Sequence, residues 1–215
     1  KYVAAALRRV LRAAGSALLA HIQRGAFRPV AEEILFGFPG GLKPLKIPLS
    51  GKDEILLRGQ IDRVDAVKRP DGTYVRVIDY KSGRRSLDLI DVVNGLSLQL
   101  LVYLAAVLES WGEISSRLDG WISADPGQVF PAGAFYLTIA DPVVRLSAPP
   151  EDLERLAGQE FRMTGLLLGD TSIARLMDSS SERRSDIIPA EFLKDGQLGA
   201  RSSSVAPNDL HLLLK

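Results

Sequence analysis

Residues 57–83 read LRGQIDRVDAVKRPDGTYVRVIDYKSG, and three charged side chains in this stretch fall at spacings that can do chemistry: Asp62, Asp79 and Lys81. Between them, Arg69-Pro70-Asp71-Gly72 has the composition of a turn, because proline presets one dihedral while aspartate and glycine tolerate the others. If that turn is a symmetric four-residue loop, Lys68 faces Thr73 and Asp62 falls opposite Asp79. Directly opposed residues share a face, with Cβ atoms about 4.5–5.5 Å apart. Lys81, two residues beyond Asp79, projects to that same face. A bulge at Gly72 would slip the register by one.

Two opposed like charges destabilise a sheet. These two also sit among apolar neighbours: Val75, Val77 and Ile78 precede Asp79, and Ile61 and Val64 flank Asp62. Burying an unpaired carboxylate costs several kcal/mol, so something must offset the cost. A divalent cation does so, and hard oxygen ligands of this kind suit Mg²⁺ or Mn²⁺. The lysine, held by the carboxylates, can then position or activate a water. The bland alternative is a solvated acidic pair with Lys81 as a cross-strand ion-pair partner, which is what most short Asp-Xaa-Lys matches are. Downstream, Gln99 and Tyr103 lie four residues apart and so on one helix face. Gln99 interrupts an apolar run where an ordinary amphipathic helix would place another leucine; taken alone, it reads equally well as an amide tolerated in a core helix.

The elements that must position these residues follow from periodicity and turn chemistry. Residues 2–24, rich in Ala, Leu and Arg, predict a helix stopped by Gly25. An extended run from Val30 to Phe38 carries Glu32 and Glu33. The Pro- and Gly-rich PGGLKPLKIP reads as a loop, followed by strands over Ile55–Lys68 and Thr73–Lys81. Ser86 to about Ser110 predicts one long helix, which Gly95 weakens. A strand over Ala134–Ile139, a helix over Glu151–Leu168 and a short helix around Ile173–Met177 come next. The polar SSSERRS, a turn at Asp195-Gly196 and the first turn of another helix complete the chain. This order is an α/β pattern built on a mixed central sheet.

Composition bounds the function. A length of 215 residues allows one large domain or two small ones. Net charge is only +1, so a nucleic-acid partner would need a local basic patch. With no cysteine, disulfides, thiolate metal sites and cysteine nucleophiles are excluded within these residues. Histidine occurs only at His21 and His211, which argues against a histidine-based zinc site. No run of about 18 apolar residues spans a membrane. The chain starts with Lys-Tyr and has no signal-peptide pattern, so the expectation is a cytoplasmic fragment of a longer protein.

Taken in order, Gly59-Xaa-Ile61-Asp62-Arg63-Val64-Asp65, then Val77-Ile78-Asp79-Tyr80-Lys81-Ser82-Gly83, then Gln99-Xaa-Xaa-Xaa-Tyr103 resembles the RecB-like branch of the PD-(D/E)XK nucleases. FRPVAEEILFG, GLSLQLLVYL, GAFYLTIADP, RMTGLLLGD and IIPAEFLKDG extend the resemblance, most of all to AddB-type nuclease domains, over nearly the whole chain. It implies a restriction-endonuclease-like core, here a single nuclease domain over residues 1–215. It implies catalytic roles for Glu33, Asp62, Asp79 and Lys81, with Mg²⁺ or Mn²⁺ held by Asp62, Asp79 and the backbone carbonyl of Tyr80. Glu33 matches the acid of the first core strand; Glu32, by strand alternation, points to the opposite face. Gln99 and Tyr103 match the helix motif that orients the site and contacts DNA. The implied partners are DNA and an AddA-like helicase–nuclease subunit, and the implied role is trimming one strand of broken ends for recombinational repair. Proteins of this type carry four cysteines for an iron–sulfur cluster, so that cluster belongs to the full-length parent and not to this cysteine-free stretch.

A competing reading is a nuclease-like fold that only binds DNA or bridges subunits; loss of a ligand residue would favour it, and none of the four is lost. The Arg84-Arg85 and Arg183-Arg184 pairs could touch phosphates, although short arginine pairs are more often solvated surface. Arg84 is the preferred DNA-binding residue because it lies just past Gly83. Trp111 and Trp121 read as core or interface residues before stacking platforms.

Overall fold

In the computed structural model the described residues are 2–49, 53–87, 89–118, 127–140 and 159–214. The first is the helix α1 (Tyr2–Arg24), with the bounds that its Ala/Leu/Arg periodicity predicts. Strands β1 (Arg28–Phe36), β4 (Gly59–Arg69), β5 (Gly72–Lys81), β6 (Val129–Thr138), β7 (Thr164–Leu168) and β8 (Ser204–Val205) form one sheet in the order β1-β4-β5-β6-β7-β8. β5–β6 and β7–β8 pair in parallel and the other neighbours antiparallel, so the sheet is mixed. A separate two-stranded sheet pairs β2 (Leu45–Pro48) with β3 (Glu54–Leu57). The Pro70-Asp71 turn closes the β4–β5 hairpin with Arg69 opposite Gly72 and Lys68 opposite Thr73.

Two apolar clusters flank the main sheet. One gathers Val64, Ala66, Val75 and Val77 of the hairpin with Leu100, Leu104 and Val107 of α3 (Gln99–Glu109) and Trp111 and Ile114 of α4 (Trp111–Ser116). The other gathers Val67, Tyr74 and Ile78 with Ala14 and Ala17 of α1, Ile173 and Met177 of α5 (Thr171–Met177), and Leu210 of α6 (Pro207–Leu213). Leu100, Leu104 and Val107, all fully buried, each contribute about 1.5–3 kcal/mol of burial, which clamps α3 to the β5–β6 surface. α5 starts on Asp170, whose carboxylate accepts the Ser172 and Ile173 amides as an N-cap.

Four elements differ from the sequence expectation. The long helix is two: α2 (Leu89–Val93) ends as Gly95 adopts φ +74°, and α3 starts only at Gln99. There the Gly95 amide returns to the Val92 carbonyl and the Leu96 amide to that of Asp91, a left-handed stop that glycine allows at little cost. Residues 151–158 of the expected helix lie outside the described residues, and its last five residues are strand β7. Gly165 explains the strand: at φ +136° a Cβ there would meet the Ala134 carbonyl oxygen at 2.2 Å, so only glycine lets β7 approach β6. The PGGLKPLKIP loop contains β2, and the strand read over Ile55–Lys68 divides at Arg58 into β3 and β4.

Candidate active site

Strands β1 and β4 change side together where the acids sit. Glu32 pairs with Arg63 and Ile34 with Ile61, which leaves Glu33 facing Asp62. Ala31 and Ile34 on β1, and Ile61 and Val64 on β4, all pack to the α3 side, though each pair is three residues apart. Regular alternation forbids that interval. The break is visible in the backbone: Glu33, at φ +54°, is the one non-glycine with positive φ among the described residues. Such a conformation costs on the order of 1–3 kcal/mol and persists only where surrounding structure imposes it.

Asp62 therefore does not continue a regular ladder to Asp79. Backbone pairing between β4 and β5 ends at Arg63 opposite Ile78, and the Asp62 carboxylate takes over, its Oδ2 accepting the Tyr80 amide at 2.8 Å. Alternation by itself is thus an insufficient reason for their proximity; the kink turns the carboxylate toward β5. Its charge still reaches Asp79. Asp79 is only 3% exposed, and its carboxyl is pushed above the usual range by burial first, against the pull of Lys81 and with the help of Asp62.

Lys81 Nζ stands 2.6 Å from Asp79 Oδ2. It also donates to Gln99 Oε1 at 3.2 Å, and Gln99 Nε2 donates to the Tyr103 hydroxyl at 2.9 Å. The start of α3 at Gln99 is what brings this amide to the lysine. Behind the ammonium lies the Tyr136 ring, 5.6 Å away at its centroid, on the β6 residue that pairs with Asp79. Burial and then the Asp79 charge raise the Tyr136 phenol pKa, keeping it a neutral donor. Tyr103 packs edge-on against Phe36, and both rings abut Gly59, where a Cβ would lie 2.8 Å from Phe36 and 3.3 Å from Tyr103. Glycine in the Gly59-Xaa-Ile61-Asp62 motif makes room for this helix.

Glu33 is exposed and its carboxylate accepts from Gln60; Glu32 is exposed too. Among the described residues no three His, Cys, Asp or Glu side chains converge as an ion site, and the Glu33 carboxylate is taken up by Gln60. What remains is a pair of carboxylates. Asp79 Oδ2, buried and in ion-pair contact with Lys81, has no hydrogen-bond donor aligned on it. A buried carboxylate whose close partner is one flexible ammonium, beside a second carboxylate, fits a hard divalent cation. Arg84 is bound to Glu160 by an ion pair, whereas the adjacent Arg85 side chain makes none among the described residues. Trp111 is core, and Trp121 lies outside the described residues.

On the opposite face the same hairpin holds a buried charge network. Asp65 accepts from Arg63 at 2.5 and 2.9 Å and from Arg76 at 3.0 and 2.7 Å, while Arg63 also donates to the Tyr80 hydroxyl at 3.3 Å. Arg63 and Tyr80 are the chain neighbours of Asp62 and Asp79, so this network fixes the backbone beneath the site. Nothing local marked Tyr136 as part of the site except its alternation within Ala134–Ile139. Arg162 carried no local signal either, and Arg184, which shares a cleft with it and with Arg85, was legible only as half of the Arg183-Arg184 pair.

A mixed sheet carrying an Asp…Asp-Xaa-Lys centre with a Gln-Xaa-Xaa-Xaa-Tyr helix beside it defines the class. The chain belongs to the PD-(D/E)XK nuclease superfamily, whose family profile matches residues 1–191. Among individual proteins, it is 41% identical over 211 residues to an ATP-dependent helicase/deoxyribonuclease subunit of Acetivibrio thermocellus, and 41% identical over 217 residues to the corresponding subunit of Caldanaerobacter subterraneus. It is 37% identical over 216 residues to that of Alkaliphilus oremlandii. These alignments cover 97–100% of this chain but 18% of each relative, so the chain spans about a fifth of the length of the curated relatives it matches. No helix among the described residues is long and apolar enough to cross a membrane.

Proposed function

We propose that residues 1–215 form one nuclease domain that hydrolyses phosphodiester bonds in a single DNA strand, with a divalent cation held by Asp62, Asp79 and the Tyr80 carbonyl. The buried Asp79 oxygen without an aligned donor, beside Asp62 and Lys81, carries this reading. Mg²⁺ or Mn²⁺ suits the hard oxygen donors, and a bound cation would lower the pKa of water and neutralise charge developing on the phosphate.

The chain's own residues supply position and charge. Lys81, held by Asp79 and Gln99, offers N–H donors to the attacking water or to a phosphate oxygen. Tyr103 fixes Gln99, so the helix motif acts on the lysine. Tyr136 excludes water behind it. Water attacks phosphorus, the P–O ester bond breaks, and the leaving oxygen takes a proton. Glu33, across the kink from Asp62, serves as the further acid that positions water.

By analogy with these relatives, the longer parent is one subunit of an ATP-dependent helicase–deoxyribonuclease. In that complex the domain trims one strand, as an exonuclease, during end resection for homologous recombination in the cytoplasm. An AddA-like partner supplies the other nuclease, and an iron–sulfur cluster lies outside these residues in the parent. The test follows each DNA end separately with the full-length protein and its partner. Asp79→Ala and Lys81→Ala should each abolish Mg²⁺- or Mn²⁺-dependent cutting of one strand. Both strands degraded at the unmodified rate would make the domain a DNA-binding scaffold instead.

A further inference from the structure

Beyond the ends of β5 and β6 lies a cleft of about 510 Å³, lined by Arg84, Arg85, Arg162 and Arg184 and by the carboxylates of Glu160 and Asp186, among others. Its wall adjoins the backbone of Lys81. Thr138, in its wall, pairs with Lys81, and the Ile139 amide bonds the Lys81 carbonyl at 2.8 Å.

The charges in the cleft are only half balanced. Arg84 is taken up by Glu160, and Asp186 accepts from Gln159 at 2.9 Å. Arg162 is anchored by its Nε, which donates to the Ser185 and Ile188 carbonyls at 2.8 and 3.1 Å. Those bonds leave its terminal nitrogens for another acceptor. The exposed Arg85 and Arg184 side chains make no ion pair among the described residues. Arg85 is near enough for its charge to act on Tyr136, which backs Lys81. Burial and then the like charge of Arg184 lower the Arg162 pKa, with Asp186 opposing, and a bound anion would offset both.

We infer that Arg85, Arg162 and Arg184 form a phosphate subsite, taking an internal phosphodiester of the same single strand whose neighbouring linkage is cut at Asp79 and Lys81. The inference rests on the nuclease reading for its substrate. Guanidinium groups suit it because their planar fork matches two phosphate oxygens at once. The three arginines come from the loop after β5, the stretch just before β7 and the segment before Glu191. No single-segment basic motif announces the site, which accords with a chain whose net charge is only +1. The cleft holds the strand's register; it reads no base, because phosphate contacts position a strand without specifying its sequence.

The test uses full-length protein and a single-stranded oligonucleotide with a 5′-hydroxyl, so that every phosphate is internal. Binding is measured against salt concentration with EDTA present, where no cutting occurs. Arg85→Gln/Arg184→Gln changes two exposed side chains and should keep the fold. It should weaken binding about tenfold and flatten the salt dependence by about one unit of slope. Arg162→Gln should do the same, but it also loses anchoring bonds and is the less clean variant. Arg183→Gln, the exposed neighbour outside the cleft, should change neither quantity. In Mg²⁺ the double variant should raise KM with kcat nearly unchanged, whereas Asp79→Ala should remove cutting and leave the salt slope intact. An unchanged slope and affinity in the double variant overturns the subsite even if the protein cuts DNA. A lost slope in a protein that never cuts would keep the subsite and refute the nuclease reading.

Discussion

Lys81 Nζ stands 2.6 Å from the buried Asp79 Oδ2 as an ion pair in which no hydrogen bond is well aligned on that oxygen. An ion pair that leaves its own acceptor open is poor at stabilising a fold and well suited to a centre that must accept something else. Burial raises the Asp79 pKa, so the ionised group is held at a cost in the absence of metal.

Asp79→Asn should therefore stabilise the domain while abolishing cleavage. In EDTA at neutral pH, the gain should be on the order of 1 kcal/mol, read as a higher unfolding midpoint. Added Mn²⁺ should raise the midpoint of the unmodified protein and leave that of the variant unmoved. A variant less stable than the unmodified protein in EDTA would mean that Asp79 is a structural ion-pair partner.

Glu33 sits in a backbone conformation that glycine adopts freely. Glu33→Gly should raise stability by about 1 kcal/mol through release of strain, offset in part by greater freedom of the unfolded chain. If Glu33 positions water, kcat should fall at least tenfold with KM little changed. Retained kcat would remove Glu33 from the mechanism and leave the kink as a purely structural device.

Gly59→Ala tests whether the helix motif acts through packing. The new Cβ would press on Phe36 and Tyr103 and shift the hydroxyl that holds Gln99. Overpacking of this kind costs about 1–3 kcal/mol. Cleavage should drop together with stability, and Tyr103→Phe, which loses only the hydroxyl, should lower kcat while leaving the unfolding midpoint nearly unchanged.

His21, buried on α1, has its pKa lowered to about 3 by burial first and then by Arg76, Arg63 and Arg24, with Asp65 opposing. Its unfolded pKa is near 6.5. The folded state thus refuses a proton that the unfolded state takes up, so stability is full above about 6.5 and is lost as pH falls toward 3. The slope approaches about 1.4 kcal/mol per pH unit within that window. His21→Gln should flatten the fall, and an unchanged pH profile would show that His21 is accessible to protons in the folded state.

Asp65 faces two buried guanidinium groups. Asp65→Ala would strand both, a loss of about 3–5 kcal/mol that should unfold the domain or cut its expression sharply. Asp65→Asn, which keeps acceptors without the charge, should cost less. A neutral Asp65→Ala would mean that water satisfies the arginines.

The chemistry and the hairpin were legible because both are local. Pro70-Asp71-Gly72 sets a turn, the turn sets Lys68 opposite Thr73, and a period of two then carries Asp79 and Lys81 to the face that α3 covers. Gln99 and Tyr103 were readable on one helix face for the same reason. The position of Asp62 was legible only in part: counting along the ladder brings it beside Asp79, but its carboxylate arrives through the kink shared with Glu33.

The rest depends on contacts between segments distant in the chain, which no local period encodes. Glycine at 165 can start a loop or allow a close strand; only the Ala134 carbonyl at its side decides for β7. Tyr136 enters the site because β6 pairs in parallel with β5, a choice made by sheet order and not by the sequence around it. Arg85, Arg162 and Arg184 look like ordinary surface cations along the chain. The sequence by itself determined the reactive groups and their local spacing, because side-chain type and hairpin register are short-range properties; tertiary structure decided which backbone kinks, which oxygen stays open and which cations converge, because those follow from packing across the whole sheet.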